Sequence, residues 1–218
     1  MCLSHTGSRF VLSRSADDLF SISGIATSRA QAIAAELCSS NKWLEVVAGI
    51  DSVVVQFDAC KMTAAEAEMA IGHTLQFGVA NLQPRAELIE VPVHYGGDDG
   101  PDLDAVCRTL GMSSDELIEL HCGRDYSVDM IGFTPGFAFI GGLDEQLRIS
   151  RHPEPRQQVA AGSIGIADGR TGIYAIASPG GWPLIGRTDM RLFDSRSEEP
   201  FKLRAGMRVR FRPVDGQV

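Results

Sequence analysis

The sequence predicts an α+β protein in two parts: an α+β region over residues 1–90, then a β-barrel or sandwich with small helical insertions over residues 91–218. Three observations carry this. Residues 9–90 alternate short apolar runs with two stretches of helical periodicity. Residues 91–218 hold many short apolar runs separated by turn residues, as small closed β-folds do. Glycine and proline are also concentrated late, above all in residues 132–188, which open with GFTPGFAFIGGL and close with SPGGWPLIGRT.

In the first region, residues 10–12 and 19–22 are weak strands. Residues 27–39 place Ala30, Ile33, Ala34 and Leu37 on one helical face, with Thr27 or Ser28 as the N-cap. WLEVVAG and SVVVQF make a hairpin around residues 49–51. Thr63 and Glu66, at capping-box spacing, start a second helix through Ala67, Ala70, Ile71 and Leu75, and Pro84 breaks the chain. ELIEVPVHY, residues 87–95, is a strand that either closes the first sheet or leads into the second region.

The turn YGGDDGPDL then leaves carboxylates beside a helix start, where they offset the partial positive charge of the N-terminus. Pro101 occupies the first turn of a helix ending at Gly111, and Ser113 with Glu116 begins another that carries His121. RHPEPR, residues 151–156, is a proline-stiffened connector. SIGIADGRTGIYAIAS is a hairpin turning at Asp168 and Gly169, and MRVRFRP alternates Met207, Val209 and Phe211 with a solvated basic face of Arg208, Arg210 and Arg212.

Composition limits the function. A hydrophobic fraction of 44% with 22% charged residues is that of a soluble globular chain. No apolar run reaches the roughly 18 residues a membrane span needs, and the first residues lack the pattern of a secretory signal. Five scattered cysteines without a CxxC pair fit reduced thiols in a cytoplasm. A net charge of -8 argues against a general nucleic-acid binder, although the basic final part leaves room for a small anionic ligand.

The sequence contains no GxSxG elbow, no phosphate-binding GxxxxGK[ST] and no histidine spacing for a metal, so no metal is expected. Cys122 beside His121 is read as helix packing, because adjacent helical residues point in different directions. Two glycine-proline loops with aromatic side chains remain, and they suggest one pocket rim. Its candidate residues are Phe133, Pro135, Gly136, Phe137, Ser178, Gly180, Gly181, Trp182 and Arg187. In this reading Arg187 and the backbone of residues 180–182 hold a carboxylate or developing oxyanion, and Phe133, Phe137 and Trp182 exclude water. Ring packing and a structural arginine are the alternative reading of the same residues. No catalytic residue is assigned.

The segments YGGDDGPDLDAV, GFTPGFAFIGGL, AGSIGIA, TGIYAIASPGGWPLIGRT and RAGMRVRF resemble, in order and spacing, the allophanate hydrolase subunit 1 family, which includes PxpB-like and KipI-like proteins. Phe139 stands where the family motif PGFxYL has tyrosine. The resemblance implies a ferredoxin-like α+β domain followed by a cyclophilin-like β-barrel domain. It implies a PxpC/KipA-like partner, a PxpA-like protein as a further component, and ATP, with Mg, in the assembled complex rather than on the isolated chain. PxpB-like members are subunits of an ATP-dependent 5-oxoprolinase, which opens 5-oxo-L-proline to L-glutamate. KipI-like members inhibit a histidine kinase, and this is the alternative. The cyclophilin-like fold alone does not imply prolyl isomerase activity.

Overall fold

The computed structural model describes residues 4–5, 8–78 and 87–214. The chain divides into two units, Met1–Arg85 and Ala86–Val218. The boundary expected at residue 90 falls inside the strand Leu88–Tyr95, which pairs on both edges within the second unit. Pro84, the expected break, lies outside the described residues.

The first unit opens with a two-residue antiparallel pair, β1 (Ser4–His5) and β2 (Ser8–Arg9). It continues through β3 (Val11–Arg14), β4 (Leu19–Ser23), α1 (Thr27–Ser39), β5 (Glu45–Ala48), β6 (Ser52–Gln56) and α2 (Ala64–His73), which runs on as a π-helical turn, Thr74–Gly78. The last four strands form an antiparallel sheet in the order β3-β4-β6-β5. β4–α1–β5–β6–α2 is the expected ferredoxin-like run, and β3 fills the edge beside β4. Two-residue alternation puts Leu12, Phe20, Ile22, Val53 and Val55 on the buried face, where they meet Ala30, Ile33 and Leu37 of α1 and Ala67 and Ile71 of α2.

Both helix starts are informative. Thr63 Oγ1 accepts the Glu66 N–H at 3.3 Å and Glu66 Oε2 accepts the Thr63 N–H at 2.8 Å, completing the expected capping box. At α1 the cap position is Ala26, with no side-chain cap, instead of Thr27 or Ser28. The Thr27 hydroxyl donates to the Ile50 carbonyl at 2.6 Å, so it ties the helix start to the β5–β6 turn.

The second unit contains β7 (Leu88–Tyr95), α3 (Leu103–Leu110), α4 (Ser114–Cys122), β8 (Tyr126–Ile131), β9 (Ala138–Gly141), a short 3-10 turn (Glu145–Leu147), β10 (Arg156–Val159), β11 (Ser163–Ala167), β12 (Arg170–Ile173), β13 (Ser178–Gly180), β14 (Leu184–Arg187) and β15 (Arg208–Pro213). Seven strands close a barrel in the order β11-β12-β9-β8-β15-β7-β14, with β14 returning to β11. This is the cyclophilin-like barrel expected of the second region. All its pairings are antiparallel except β7 with β15. β10 and β13 form a separate antiparallel pair.

Val91, Val93, Val128, Ile140, Ile164, Ile166, Ile173, Val209 and Phe211 fill the interior together with Leu117 and Ile118 of α4. Ser113 caps α4 through the expected box with Glu116, and Gly111 ends α3 at a left-handed φ of 72°. Asp168 (φ 52°) and Gly169 (φ 76°) form the tight β11–β12 turn. The basic face of β15 is paired: Arg208 and Arg210 with Asp125, and Arg212 with Glu90 at 2.8 Å.

Candidate functional site

Strand alternation gives the β9–β11–β12 wall two different surfaces. Ala138, Ile140, Ile164, Ile166 and Ile173 face the barrel interior. Between them, Phe139, Gly172 and Gly165 are cross-strand neighbours in one row on the opposite face. The two glycines leave that face bare, and aromatic rings settle on it. A Cβ on Gly172 would stand 2.9 Å from Phe137 Cζ and 3.0 Å from Trp182 Cζ3, closer than packed atoms tolerate. A Cβ on Gly180 would collide with the Tyr174 ring and hydroxyl.

The rings meet edge to face. Phe137 lies 4.7 Å from Phe139, 4.9 Å from Tyr174 and 5.8 Å from Trp182, centroid to centroid. Phe137, Tyr174 and Leu184 form an apolar cluster with Val159 of β10, distinct from the barrel core. Phe133 stands over this cluster, 5.6 Å from Phe137 and 64% exposed. Its φ of 68° is a left-handed conformation, costly by about 1 kcal/mol for a residue with a Cβ.

A cavity of about 420 Å³ opens beside these rings, lined by Phe133, Phe137, Phe139, Tyr174 and Trp182, by the backbone of Pro179 to Gly181, and by Arg151, His152 and Pro155 from the connector. The Arg151 guanidinium carbon sits 5.7 Å from the Trp182 ring centroid, within cation–π range. Burial raises the Tyr174 hydroxyl above its usual pKa, against a hydrogen bond from the Trp182 N–H that lowers it.

The connector is anchored by a buried carboxylate. Asp102, at the start of α3, accepts the Leu184 N–H at 2.7 Å and Arg156 Nη2 at 2.7 Å, and lies 3.4 Å from His152 Nε2. The His152 N–H donates to the Gly181 carbonyl at 2.7 Å, which fixes the connector against the tryptophan loop. Burial alone would raise the Asp102 pKa, but the bonds from Arg156, Leu184 and His152 hold it below the ordinary carboxylate value.

A second polar chain crosses the barrel core. The Thr171 hydroxyl donates to the Gly165 carbonyl at 3.2 Å, so its oxygen accepts from His121 Nε2 at 3.0 Å. That assigns the proton to Nε2 and leaves Nδ1 to accept the Tyr95 O–H at 2.6 Å. Cys122 Sγ lies 3.3 Å from the same Tyr95 oxygen. His121 and Cys122 therefore converge on one phenol, although their helix directions differ. Burial pushes the His121 pKa down to about 3, so the ring is a neutral part of the packing, stacked 4.4 Å from Phe211.

The fold brings Phe133, Phe137, Gly180, Gly181 and Trp182 together at the cavity. Pro135 is exposed and does not line it, and Gly136 is buried against Ala175, Phe193 and Phe201. Ser178 is buried one residue before the lining, its hydroxyl without a hydrogen-bond partner among the described residues. Arg187 does not line the cavity. It ends β14 with a guanidinium nitrogen 3.6 Å from Asp99. The sequence reading missed Asp102, Arg151, His152, Pro155 and Tyr174 as parts of this neighbourhood. RHPEPR carried the available signal, a histidine and two arginines flanking a pair of prolines. Among the described residues no group of three or more His, Cys, Asp or Glu side chains could hold a metal ion, and no helix is long and apolar enough to cross a membrane.

The carboxyltransferase domain family, subdomain C and D, matches residues 1–203. The chain is similar to a 5-oxoprolinase subunit of Escherichia coli O157:H7, 49% identical over 132 residues, which are 61% of each protein. It is also similar to the corresponding 5-oxoprolinase subunit of Haemophilus influenzae, 39% identical over 180 residues, 83% of this chain and 84% of that one. The match thus spans less than two thirds of the E. coli relative and most of the H. influenzae one. The names of these relatives give no support to the histidine-kinase-inhibitor alternative. The crystal structure of TTHA0988 superposes with a TM-score of 0.79 at 33% identity, covering 91% of this chain and 40% of that one. The urea carboxylase of Kluyveromyces lactis shares the fold at 18% identity, with a TM-score of 0.73 over 98% of this chain and 22% of that one. The chain belongs to the carboxyltransferase domain family, subdomain C and D.

Proposed function

We propose that this chain is a non-autonomous subunit of an ATP-dependent 5-oxoprolinase that opens 5-oxo-L-proline to L-glutamate. It works with a PxpC/KipA-like partner and with a PxpA-like protein as a further component, in the cytoplasm. ATP, with Mg, acts in the assembled complex. The observation that carries this reading is the make-up of the cavity on the outer barrel wall: aromatic faces, backbone groups of residues 179–181, one guanidinium and one imidazole. Flat apolar walls suit a small lactam ring, and the Arg151 guanidinium suits its carboxylate. The lining supplies no serine, cysteine or carboxylate nucleophile, which favours chemistry completed by a second protein. Kinship with proteins named as 5-oxoprolinase subunits supports the choice of substrate.

The test is co-expression with the candidate partners, copurification, and measurement of ADP release that depends on 5-oxoproline. The assembled proteins turn over and this chain alone does not. A copurified complex that releases no ADP with 5-oxoproline, while an authentic 5-oxoprolinase does so under the same conditions, overturns the reading.

A further inference from the structure

The buried Asp102 carboxylate, which holds the half-buried Arg156 and the cavity-lining His152, asks for an explanation beyond packing. Asp102 is 8% exposed, yet it keeps a charge, because three donors, two from the 151–156 connector and one from the start of β14, converge on its two oxygens. Arg156 and the Leu184 N–H already satisfy a carboxylate of this kind, so His152 is an additional partner. Its position has a geometric consequence. His152 lines the cavity, and its ring commits Nε2 to the carboxylate, which leaves Nδ1 without a hydrogen-bond partner among the described residues. The backbone of His152 is held separately by Gly181, and Pro153 and Pro155 restrict the chain after it. An imidazole placed in this way has a fixed ring orientation and a carboxylate able to stabilise its protonated form.

We propose that His152 is the proton-transferring group this chain contributes to the cavity, and that Asp102, itself fixed by Arg156 and Leu184, is its positioning residue. The proposal rests on the 5-oxoprolinase reading for its substrate. In lactam hydrolysis a water oxygen bonds to the ring carbonyl carbon while the carbon–nitrogen bond breaks. Water must lose a proton in the first event and the ring nitrogen must gain one in the second. Nδ1 of His152 takes the first proton and returns it in the second, so the imidazole ends unchanged and Asp102 stabilises the imidazolium in between.

The experiment uses the copurified complex. His152→Ala leaves Asp102 bonded to Arg156 and Leu184, so the carboxylate site stays intact. The expected result is a kcat lower by about 100-fold, a KM within about threefold, and a partial return of rate on adding free imidazole. Asp102→Asn is expected to lower kcat by about tenfold without changing KM. A His152→Ala complex that keeps more than about a third of the wild-type kcat, or that imidazole does not rescue, overturns the role of the imidazole. A separate arm needs no turnover and distinguishes failure of this idea from failure of the functional reading. Nitrogen-15 NMR of the isolated chain is expected to show neutral His152 as the Nε2–H tautomer, and Asp102→Asn is expected to remove that preference. An Nδ1–H tautomer in the wild type, or an unchanged tautomer in Asp102→Asn, overturns the positioning role.

Discussion

The two faces of the β9–β11–β12 wall are built from alternating residues of the same three strands, yet they follow different packing rules. The inner face is aliphatic and β-branched, and its isoleucines close a core with no accessible surface. The central row of the outer face is two glycines and a phenylalanine, and aromatic rings from the flanking loops pack onto it. One surface secures the fold, and the other trades packing for a recess. The proposed function therefore uses the outside of the barrel wall rather than its interior, where His121 is neutral and enclosed.

Removing inner volume gives the largest effect. Ile166→Ala is expected to lower stability by roughly 2–5 kcal/mol by chemical denaturation, while leaving ligand binding at the outer cavity unchanged in the fraction that stays folded. A loss below about 1 kcal/mol would show that the inner face is not the one carrying stability.

Acid tests the enclosed histidine. The unfolded chain takes up a proton on His121 below about pH 6.5, whereas the folded ring resists protonation until about pH 3. Stability therefore falls as pH drops through this window, by at most about 1.4 kcal/mol per pH unit from this group, and His121 adds no further loss below it. His121→Leu should flatten the slope between pH 6 and 4 in pH-dependent denaturation. An equally steep slope in the variant removes the assignment. Asp102 acts in a lower range, because a carboxyl lowered in the fold stabilises above its unfolded value, and that contribution is lost as pH falls through the folded one.

Filling the bare outer row has a smaller energetic effect and a sharper functional one. Gly172→Val forces new atoms against Phe137 and Trp182, with an expected loss of about 1–3 kcal/mol and closure of the cavity. Denaturation reads the first, and loss of 5-oxoproline-dependent turnover in the assembled complex reads the second. Smallest of all, Phe133→Gly relieves a left-handed φ and removes an exposed ring, so the melting temperature should stay level or rise slightly. A clear drop would mean that the ring holds the loop.

Much of this was legible in advance. The hairpins, α2 and α4 followed from alternation and capping boxes, since both are local and depend on side chains a few residues apart. The β7 strand announced itself, but its owner did not, because pairing with residues 208–213 leaves no mark within residues 87–95. The aromatic loops were recognisable as a rim from Phe133, Phe137 and Trp182. Gly165 and Gly172 act within strands, by leaving room for aromatic rings on the outer face. Arg187 drew attention because it follows the tryptophan loop, yet β14 carries it away to Asp99. His152 and Asp102, fifty residues apart, meet only through tertiary packing, and no spacing rule could have joined them.

The parallel pairing of β7 with β15 has a consequence for synthesis. Leu88 pairs with Arg208 and Val93 with Pro213, so the barrel cannot close until its last strand has left the ribosome. Until then β7 and β8 present unpaired edges to the cell. The first unit, whose described strands and helices are complete by residue 78, needs no such wait. Folding of the second unit is thereby tied to its final strand, and a chain truncated before residue 208 should be an aggregation-prone open sheet instead of a smaller barrel.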